Sequence, residues 1–441
     1  MTTGESSSSP SSSSKRGCGD SNIGGFHKKP RTDSSPNVSV TSHAIDSDRI
    51  FVDFPKSLVN ALNIALDSLM DESTWMGYIS LTPLKILNSN ATDCHEGYRF
   101  SKAYCSSEKY PTQYSFGSVF IKGLSILIEF ILHRTIPENK QDKFVLGKLL
   151  HFLSDSLDTD AEALKNMEMY TETELNTVVT NHLFAKLSTS TLFTIDKQLS
   201  KSKCRGNERR GYLNGKPWCP CEQNECLLSG DYGDTSIGNW MVWHGSVDVV
   251  INHDVIIVSQ DNEDENCCHG DKPPAETKSS VLRRNHQIIA QNIVFSFLQK
   301  HRHPESDNFL IPCIGITRED IIVYLYDSVH DVLLESSLLP LQGMVSSPGN
   351  KLNLVAVLVS WLVVNYKYLC GGVMEEMKTT KAEFFSQAKE KLSIYETYLK
   401  SGDVRNTRPT VDSGDQVKNL HHPLLIDLKK RNKLVVLEPR E

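Results

Sequence analysis

The sequence lacks the long apolar segments that mark membrane-spanning and secreted proteins. Its best apolar run, Leu354–Val364, is about half as long as the roughly 20 residues that cross a bilayer. No apolar stretch follows Met1, so we expect no secretory signal peptide. Both absences favour an intracellular protein with no transmembrane helix.

A surplus of basic residues is also missing. The chain has 47 Lys and Arg against 54 Asp and Glu, a formal net charge of -7. This balance excludes a histone-like, generally polybasic protein, although a local basic groove would suffice to bind nucleic acid. Hydrophobic residues make up 39% of the 441 residues, slightly few for a fully packed chain, so we expect part of it to be disordered.

We assign this disorder to a serine-rich tail, residues 1–48, whose composition cannot bury a core. Within it, Lys15-Arg16 and a second cluster at 28–31 resemble the two halves of a bipartite nuclear-import signal. The alternative is an ordinary solvated basic tail. The resemblance predicts a nuclear protein.

Several familiar catalytic motifs are absent as well. The sequence has no Gly-x-x-x-x-Gly-Lys phosphate loop, no Gly-x-Gly-x-x-Gly after a strand, no His-Glu-x-x-His and no Gly-x-Ser-x-Gly. Any catalytic chemistry must therefore come from another pattern.

Hydrophobic periodicity beyond the tail is at first mostly helical. Lys56–Met70 and Phe116–His133 each place apolar residues in helical register, so we predict a helical region over 49–170. Further on, β-branched and aromatic content predicts strands, a helix and a hairpin, at 239–252, 255–259, 275–279, 281–301 and 309–326. The last residues, 401–441, are expected to form a loosely ordered tail.

Three charged residues on the predicted strands stand out. Asp248 is flanked by strand formers, and an acid inside an apolar strand is costly unless it is paired or binds a metal. Glu276 and Lys278 are two apart, so on a strand they point to the same face. Two carboxylates on adjacent strands offer the hard oxygen ligands that Mg²⁺ or Mn²⁺ prefers, and a neighbouring lysine can stabilise charge on a phosphoryl oxygen.

The order of these features resembles a known family. Asp248 on one strand, Glu276-x-Lys278 on the next, a helix with an early glutamine and then a hairpin are similar to the PD-(D/E)XK nuclease superfamily. The resemblance implies an α/β (α+β) domain of the restriction-endonuclease-like type, with a mixed β-sheet core flanked by helices. We place this domain at 171–400, with cysteine-containing and acidic insertions.

Roles for individual residues follow from the resemblance alone. It implies that Asp248, Glu276 and the backbone carbonyl of Thr277 hold the divalent metal, and that Lys278 acts on the attacking water. Gln287 would be the helix glutamine of a subset similar to lambda exonuclease. The family often takes one more acid from the preceding helix, and Glu172 or Glu174 could serve.

The implied function is metal-dependent hydrolysis of phosphodiester bonds in nucleic acid, with DNA the expected substrate. The alternative is a catalytically inactive nuclease-fold protein that acts as a binding or scaffold module. Three features favour the alternative: Gln291 stands where that subset usually has tyrosine, an acidic insert at 260–274 precedes Glu276, and the helical additions to the domain are bulky.

Cysteines suggest a second, separate metal site. Eleven cysteines without a signal peptide are typical of reduced thiols or metal ligands. The densest group, Cys204, Cys219, Cys221 and Cys226, could hold a structural Zn²⁺ as four thiolates. The alternative is free thiols in a mobile loop. Basic residues around them, at 201–216, are candidate phosphate contacts for nucleic acid.

Overall fold

The computed structural model describes residues 49–70, 78–92, 96–165, 167–199, 212–213, 216–221, 223, 226–260, 281–343 and 352–404. Three of the predicted features fall outside these ranges wholly or almost wholly: the serine-rich tail, the acidic insert with the strand at 275–279, and the C-terminal tail.

Sixteen strands occur in the described residues. They are β1 Ser80–Ser89, β2 Cys105–Lys109, β3 Tyr114–Ser115, β4 Phe193–Asp196, β5 Tyr212–Leu213, β6 Lys216–Pro217, β7 Asp231–Gly233, β8 Ser236–Gly238, β9 His244–Ser246, β10 Val249–Ile251, β11 Val255–Ser259, β12 Leu310–Ile316, β13 Asp320–Asp327, β14 Val332–Ser336, β15 Leu339–Pro340 and β16 Lys400–Ser401.

The α-helices of the same ranges surround these strands. They are α1 Arg49–Asp53, α2 Lys56–Met70, α3 Ile121–His133, α4 Lys140–His151, α5 Leu157–Ala163, α6 Glu172–Val179, α7 Ala185–Leu187, α8 His286–Arg302, α9 Leu354–Val364, α10 Tyr366–Leu369, α11 Phe384–Ala388 and α12 Leu392–Thr397. Two π-helical segments, Phe152–Ser156 and Thr180–Phe184, join α4 to α5 and α6 to α7.

One large mixed sheet organises the described residues. Its order is β2-β1-β14-β13-β12-β11-β10-β4-β7, with β3 beside β1 and β15 beside β13. The pairs β11–β12 and β4–β7 are parallel, and the other pairs are antiparallel. Smaller sheets are β16-β8-β9 and β5-β6. The prediction of a mixed α/β fold with a mixed sheet is confirmed.

The centre of this sheet is covered on both faces. Every residue of β11, β12 and β14 is buried, which is typical of strands packed between helices. Helix α8 connects β11 to its parallel neighbour β12 and packs on β12 and β13, while α6 packs on β11. The predicted hairpin at 309–326 is present as β12 and β13.

Helix α8 begins later than its hydrophobic pattern indicated. The side chain of Asn285 accepts hydrogen bonds from the backbone N–H groups of Gln287 and Ile288, so Asn285 is the N-cap. Arg284, just before it, has a left-handed backbone with φ of 48°. The helix therefore starts at His286, after a turn that sequence periodicity cannot detect.

The region 49–170 is not purely helical, which corrects the prediction. It supplies β1, β2 and β3, and β1 pairs with β14, so this region and 171–400 share one sheet. Leu81, Leu84 and Ile86 of β1 are buried in the core. A short apolar run of this kind cannot be distinguished from a helix segment by periodicity, and the residues of its partner β14 lie 249 to 255 positions further on.

One apolar helical segment also departs from the expectation of no membrane span. Phe116–His133 is long and apolar enough to cross a membrane by length and composition, with a mean hydropathy of 1.6. In the fold, half of this segment is buried, with Leu124, Leu127 and Phe130 fully enclosed in the core. The shorter run Leu354–Val364 forms a helix that is buried along its whole length.

Candidate functional site

Asp248 lies directly before β10, where three strands meet. Val249 pairs with Ile257 of β11 on one side and with Ile195 of β4 on the other. The carbonyl oxygen of Asp248 accepts a hydrogen bond from the backbone N–H of Asp196 at 2.9 Å. The predicted metal-binding carboxylate therefore stands at the edge of the sheet where β4 and β11 end.

Ser259, the last residue of β11, connects Asp248 to a second carboxylate. Its backbone N–H donates to Asp248 Oδ2 at 2.7 Å. Its hydroxyl oxygen lies 2.7 Å from Glu172 Oε1 and 3.3 Å from Asp248 Oδ2. Two carboxylates from different elements therefore converge on one hydroxyl group.

The start of α6 explains why Glu172 takes this place and Glu174 does not. Thr171 is the N-cap of α6, and the Glu174 side chain accepts a hydrogen bond from the Thr171 backbone N–H at 3.0 Å. This reciprocal capping box uses Glu174 to begin the helix. Of the two acids that the sequence left open, the structure brings Glu172 to Asp248.

Electrostatics make Asp248 an unusual carboxyl group. Burial raises its pKa from 3.8 to about 7, and the nearby charges of Glu172 and Asp196 add to the rise, against the opposing hydrogen bonds from Ser259. Near neutral pH, a proton on Asp248 therefore reduces the negative charge of the site. A metal cation in place of this proton would have the same effect.

A buried amide group with an unsatisfied oxygen contacts the same hydroxyl through its nitrogen. Asn176 of α6 is fully buried, and its Nδ2 donates to Ser259 Oγ at 2.7 Å. Among the described residues, its Oδ1 has no hydrogen-bond partner. Buried polar atoms are nearly always paired, so this oxygen is a candidate ligand for a cation or a water.

Three of the predicted site residues, Glu276, Thr277 and Lys278, lie outside the described residues. They belong to 261–280, the segment that connects Gln260 at the end of β11 to the turn before α8. Their predicted roles are therefore still predictions.

The predicted helix glutamine, Gln287, is in the first turn of α8. Its backbone N–H donates to the Asn285 cap, and no described hydrogen bond of its side chain ties it to Asp248. Gln291, one turn later, is fully buried and donates from Nε2 to the carbonyl of Ser246 at 3.2 Å, two residues before Asp248. The structure thus places the unexpected glutamine against the strand that leads into the site.

Three of the four predicted thiol ligands do come together. Cys219, Cys221 and Cys226 lie with His182 in one cluster whose ligand atoms are all within 4.8 Å of one another. Cys204 lies outside the described residues. The cluster could hold a metal ion, with a histidine as the fourth ligand.

Backbone pairing brings the cysteines together. The Cys219 N–H donates to the Cys226 carbonyl at 2.9 Å, and Leu228 N–H donates to the Pro217 carbonyl at 2.9 Å. Within 217–228, the described residues 217–219 and 226–228 therefore pair as a small hairpin-like knob. Its cysteines face the helix that carries His182.

His182 was missed by the sequence analysis, and so were Ser259 and Asn176. His182 and Asn176 are polar residues in an apolar helical pattern, which commonly means only a satisfied core residue. Ser259 ends an apolar strand, where a serine is a common residue that indicates no function. No local signal in the sequence distinguishes these three, because their partners lie in other elements, 11 to 87 residues away.

No family model, curated protein or solved structure matches the chain. The function must therefore be argued from the site itself.

Proposed function

We propose that the chain is a divalent-metal-dependent, nuclease-like protein that hydrolyses phosphodiester bonds of nucleic acid, with DNA as the expected substrate. The observation that carries the proposal is the convergence of Glu172 and Asp248 on Ser259 at the end of β11. From this point the chain enters 261–280, which contains Glu276 and Lys278.

The donor set fits Mg²⁺ or Mn²⁺. Two carboxylates, the Ser259 hydroxyl and the unpaired amide oxygen of Asn176 are hard oxygen donors, which these ions prefer over sulfur or nitrogen. Burial and the neighbouring charge of Glu172 raise the pKa of Asp248, and a cation bound between the two acids would offset both effects. In the proposal, Asp248 and Glu172 bind the metal together with Glu276 and the carbonyl of Thr277.

When bound, such an ion would polarise a phosphoryl oxygen and lower the pKa of a coordinated water. The chain's own contribution is to hold the two carboxylates in place through Ser259, and to bring Lys278 to the attacking water. Gln287, at the start of α8, is proposed to contact the substrate near the same edge.

The connection of the strands supports the restriction-endonuclease-like type. Strands β10 and β11 form an antiparallel pair next to Asp248, and α8 then leads to β12, which is parallel to β11. The helix and the hairpin of this order are those that the family resemblance implies, whereas the strand with Glu276 and Lys278 lies outside the described residues and β11 is an additional strand before it.

A basic side chain at the same edge supports phosphate binding. Arg318 follows β12, whose Ile316 is paired with Ser259. Its Nε donates to the carbonyl of Tyr170, next to the cap of α6, at 3.2 Å. Arg318 thus places a positive charge near the acidic pair, where a phosphate would be held.

One observation favours the inactive alternative. The residue beside Asp248 at the end of the neighbouring strand is Ser259, which is uncharged and satisfied by both acids. If Glu276 does not join them, the site could bind nucleic acid or serve as a scaffold without hydrolysis.

The experiment combines calorimetric titration of Mn²⁺ with cleavage of structured DNA. Wild type is compared with Asp248→Asn and Glu172→Gln, and with the exposed acid Glu162→Gln of α5 as matched control. We expect binding and cleavage in wild type and the control, and loss of both in the two site variants. Mn²⁺ and DNA binding without cleavage would favour the inactive alternative, and absence of Mn²⁺ binding would contradict the metal site.

A nuclear location is part of the proposal and rests on the basic clusters at 15–31. Deleting these residues from the tagged full-length chain is expected to abolish nuclear accumulation. Unchanged uptake would remove the import signal from the proposal but leave the site unaffected.

A further inference from the structure

The thiol cluster, which consists of His182, Cys219, Cys221 and Cys226, differs from the Asp248 site in its ligand chemistry. His182 is 2% exposed, Cys219 and Cys221 are each 6% exposed, and Cys226 is half-buried. Three sulfur ligands and one nitrogen ligand are a soft set, unlike the oxygen donors around Asp248. Nothing in the phosphodiester proposal uses them.

The distances in the cluster match a tetrahedron around one ion. The Nε2 atom of His182 lies 3.5 Å from Cys219 Sγ and 3.5 Å from Cys226 Sγ. A tetrahedral zinc with Zn–S bonds of about 2.3 Å and Zn–N bonds of about 2.0–2.1 Å places nitrogen and sulfur ligands about 3.6 Å apart. The four ligand atoms are also mutually within 4.8 Å, which suits a single ion.

A carboxylate holds the histidine in the orientation that metal binding needs. Asp160 of α5 is buried, and its Oδ1 lies 2.7 Å from His182 Nδ1. With Nδ1 bonded to this carboxylate, Nε2 is the ring nitrogen that faces the sulfur atoms. Metal-bound histidines usually donate their other ring N–H to a carboxylate in this manner, which fixes the tautomer.

The π-helical segment Thr180–Phe184 contributes to this orientation. It interrupts the helix between α6 and α7 at the turn that carries both His182 and Asn181. Asn181 Nδ2 donates to Cys226 Sγ at 3.7 Å and to the carbonyl of Leu227 at 3.3 Å. Such local widening of a helix is frequent at functional sites, and here the segment carries two adjacent side chains that contact the knob.

We propose that His182, Cys219, Cys221 and Cys226 bind one structural Zn²⁺, with Asp160 as the positioning residue for His182. Four protein ligands leave no open position for a substrate, so the ion stabilises the fold and takes no part in hydrolysis. It fastens the knob 217–228 to the helix that begins with Glu172. The proposal stands independently of the phosphodiester chemistry.

The first test measures metal content and coordination in the full-length wild-type protein. We expect one equivalent of zinc after dialysis against a weak chelator. Replacement by Co²⁺ should give the strong visible absorption of tetrahedral cobalt together with a thiolate-to-cobalt charge-transfer band. Substoichiometric zinc, or cobalt spectra typical of octahedral oxygen ligands, would overturn the proposal. So would a disulfide between two of these cysteines in protein purified under reducing conditions.

Variants then test the ligand set. His182→Ala and Cys226→Ser should lose the zinc, whereas His182→Cys should retain it because four thiolates also form closed zinc sites. Cys204→Ser is the matched control: we expect it to retain one equivalent, and loss of zinc in this variant would overturn the assignment of His182 as the fourth ligand. Because ligand variants can unfold, the wild-type melting temperature is also measured. It should fall on strong chelation and recover with Zn²⁺ but not with Mg²⁺; no change on chelation would contradict a structural ion.

Discussion

The hydroxyl of Ser259 lies 2.7 Å from Glu172 Oε1, and this contact joins the end of β11 to the first turn of α6. The same serine donates its backbone N–H to Asp248. A residue with no acid–base chemistry of its own thus sets the relative position of the two acids. The geometry of the candidate site depends on it.

We therefore predict that Ser259→Ala destabilises the protein by about 1–3 kcal/mol, because Asn176 Nδ2 and Glu172 Oε1 each lose a buried partner. Urea unfolding followed by circular dichroism measures the difference. Ser393→Ala, which removes an exposed hydroxyl, is the control and should change stability by less than about 0.5 kcal/mol. Equal effects for the two serines would show that Ser259 does not link the acids.

Much of the central sheet was predictable from local pattern. The segments that form β11, β12 and β13 are apolar, β-branched runs separated by turn residues. This pattern favours strands over helices. The strands of 49–170 were missed because β1 finds its partner, β14, far along the chain. The energy that β1 gains by pairing with β14 leaves no sign in the local periodicity of the sequence.

The candidate site was likewise predictable from the sequence only in part. Asp248 was identifiable because a charge in an apolar strand needs an explanation. Ser259, Asn176 and His182 were not, since each acquires its role only through a neighbour that the fold brings from another element. Glu172 could be named from the sequence but not separated from Glu174 until the capping box assigned Glu174 to the helix start.

The titration of Asp248 leads to a pH-dependent stability in metal-free protein. Its folded pKa of about 7 exceeds the ordinary 3.8, so between these values the folded state keeps a proton that the unfolded chain has released. The free energy of unfolding must then fall as pH rises through this window and level off above it. We predict that the free energy of unfolding of Asp248→Asn falls less steeply with pH than that of wild type. The difference in slope should be on the order of 1 kcal/mol per pH unit.

Urea titrations at a series of pH values in EDTA measure this difference. Other buried carboxyl groups with raised pKa values, such as Glu335 and Asp331, are present in both proteins and cancel in the comparison. Parallel pH profiles for wild type and Asp248→Asn would contradict a raised pKa at this position.

The contact between Asp160 and His182 predicts a graded effect on metal affinity. Asp160→Asn keeps the shape but weakens the hydrogen bond that orients the imidazole, so we expect zinc affinity to fall about 10–100-fold without loss of the ligand set. Competition with a colorimetric chelator measures the affinity. Glu162→Gln, an exposed acid on the same helix, should leave it unchanged. An unaltered affinity in Asp160→Asn would show that His182 needs no carboxylate partner.

Under the proposed function, a variant of Arg318 tests nucleic-acid binding separately from hydrolysis. Its guanidinium group is held beside the start of α6 by the Tyr170 carbonyl, at the sheet edge that carries Ser259. A contact to one phosphate adds about one unit to the salt dependence of binding, so Arg318→Ala should weaken DNA affinity and reduce the slope of log affinity against log salt by about one. Fluorescence anisotropy over a salt series measures both. Lys122→Ala on α3, which removes an equal charge, is expected to leave the slope unchanged. If Arg318→Ala instead weakens cleavage at unchanged DNA affinity and salt slope, Arg318 acts in the reaction and does not position the backbone.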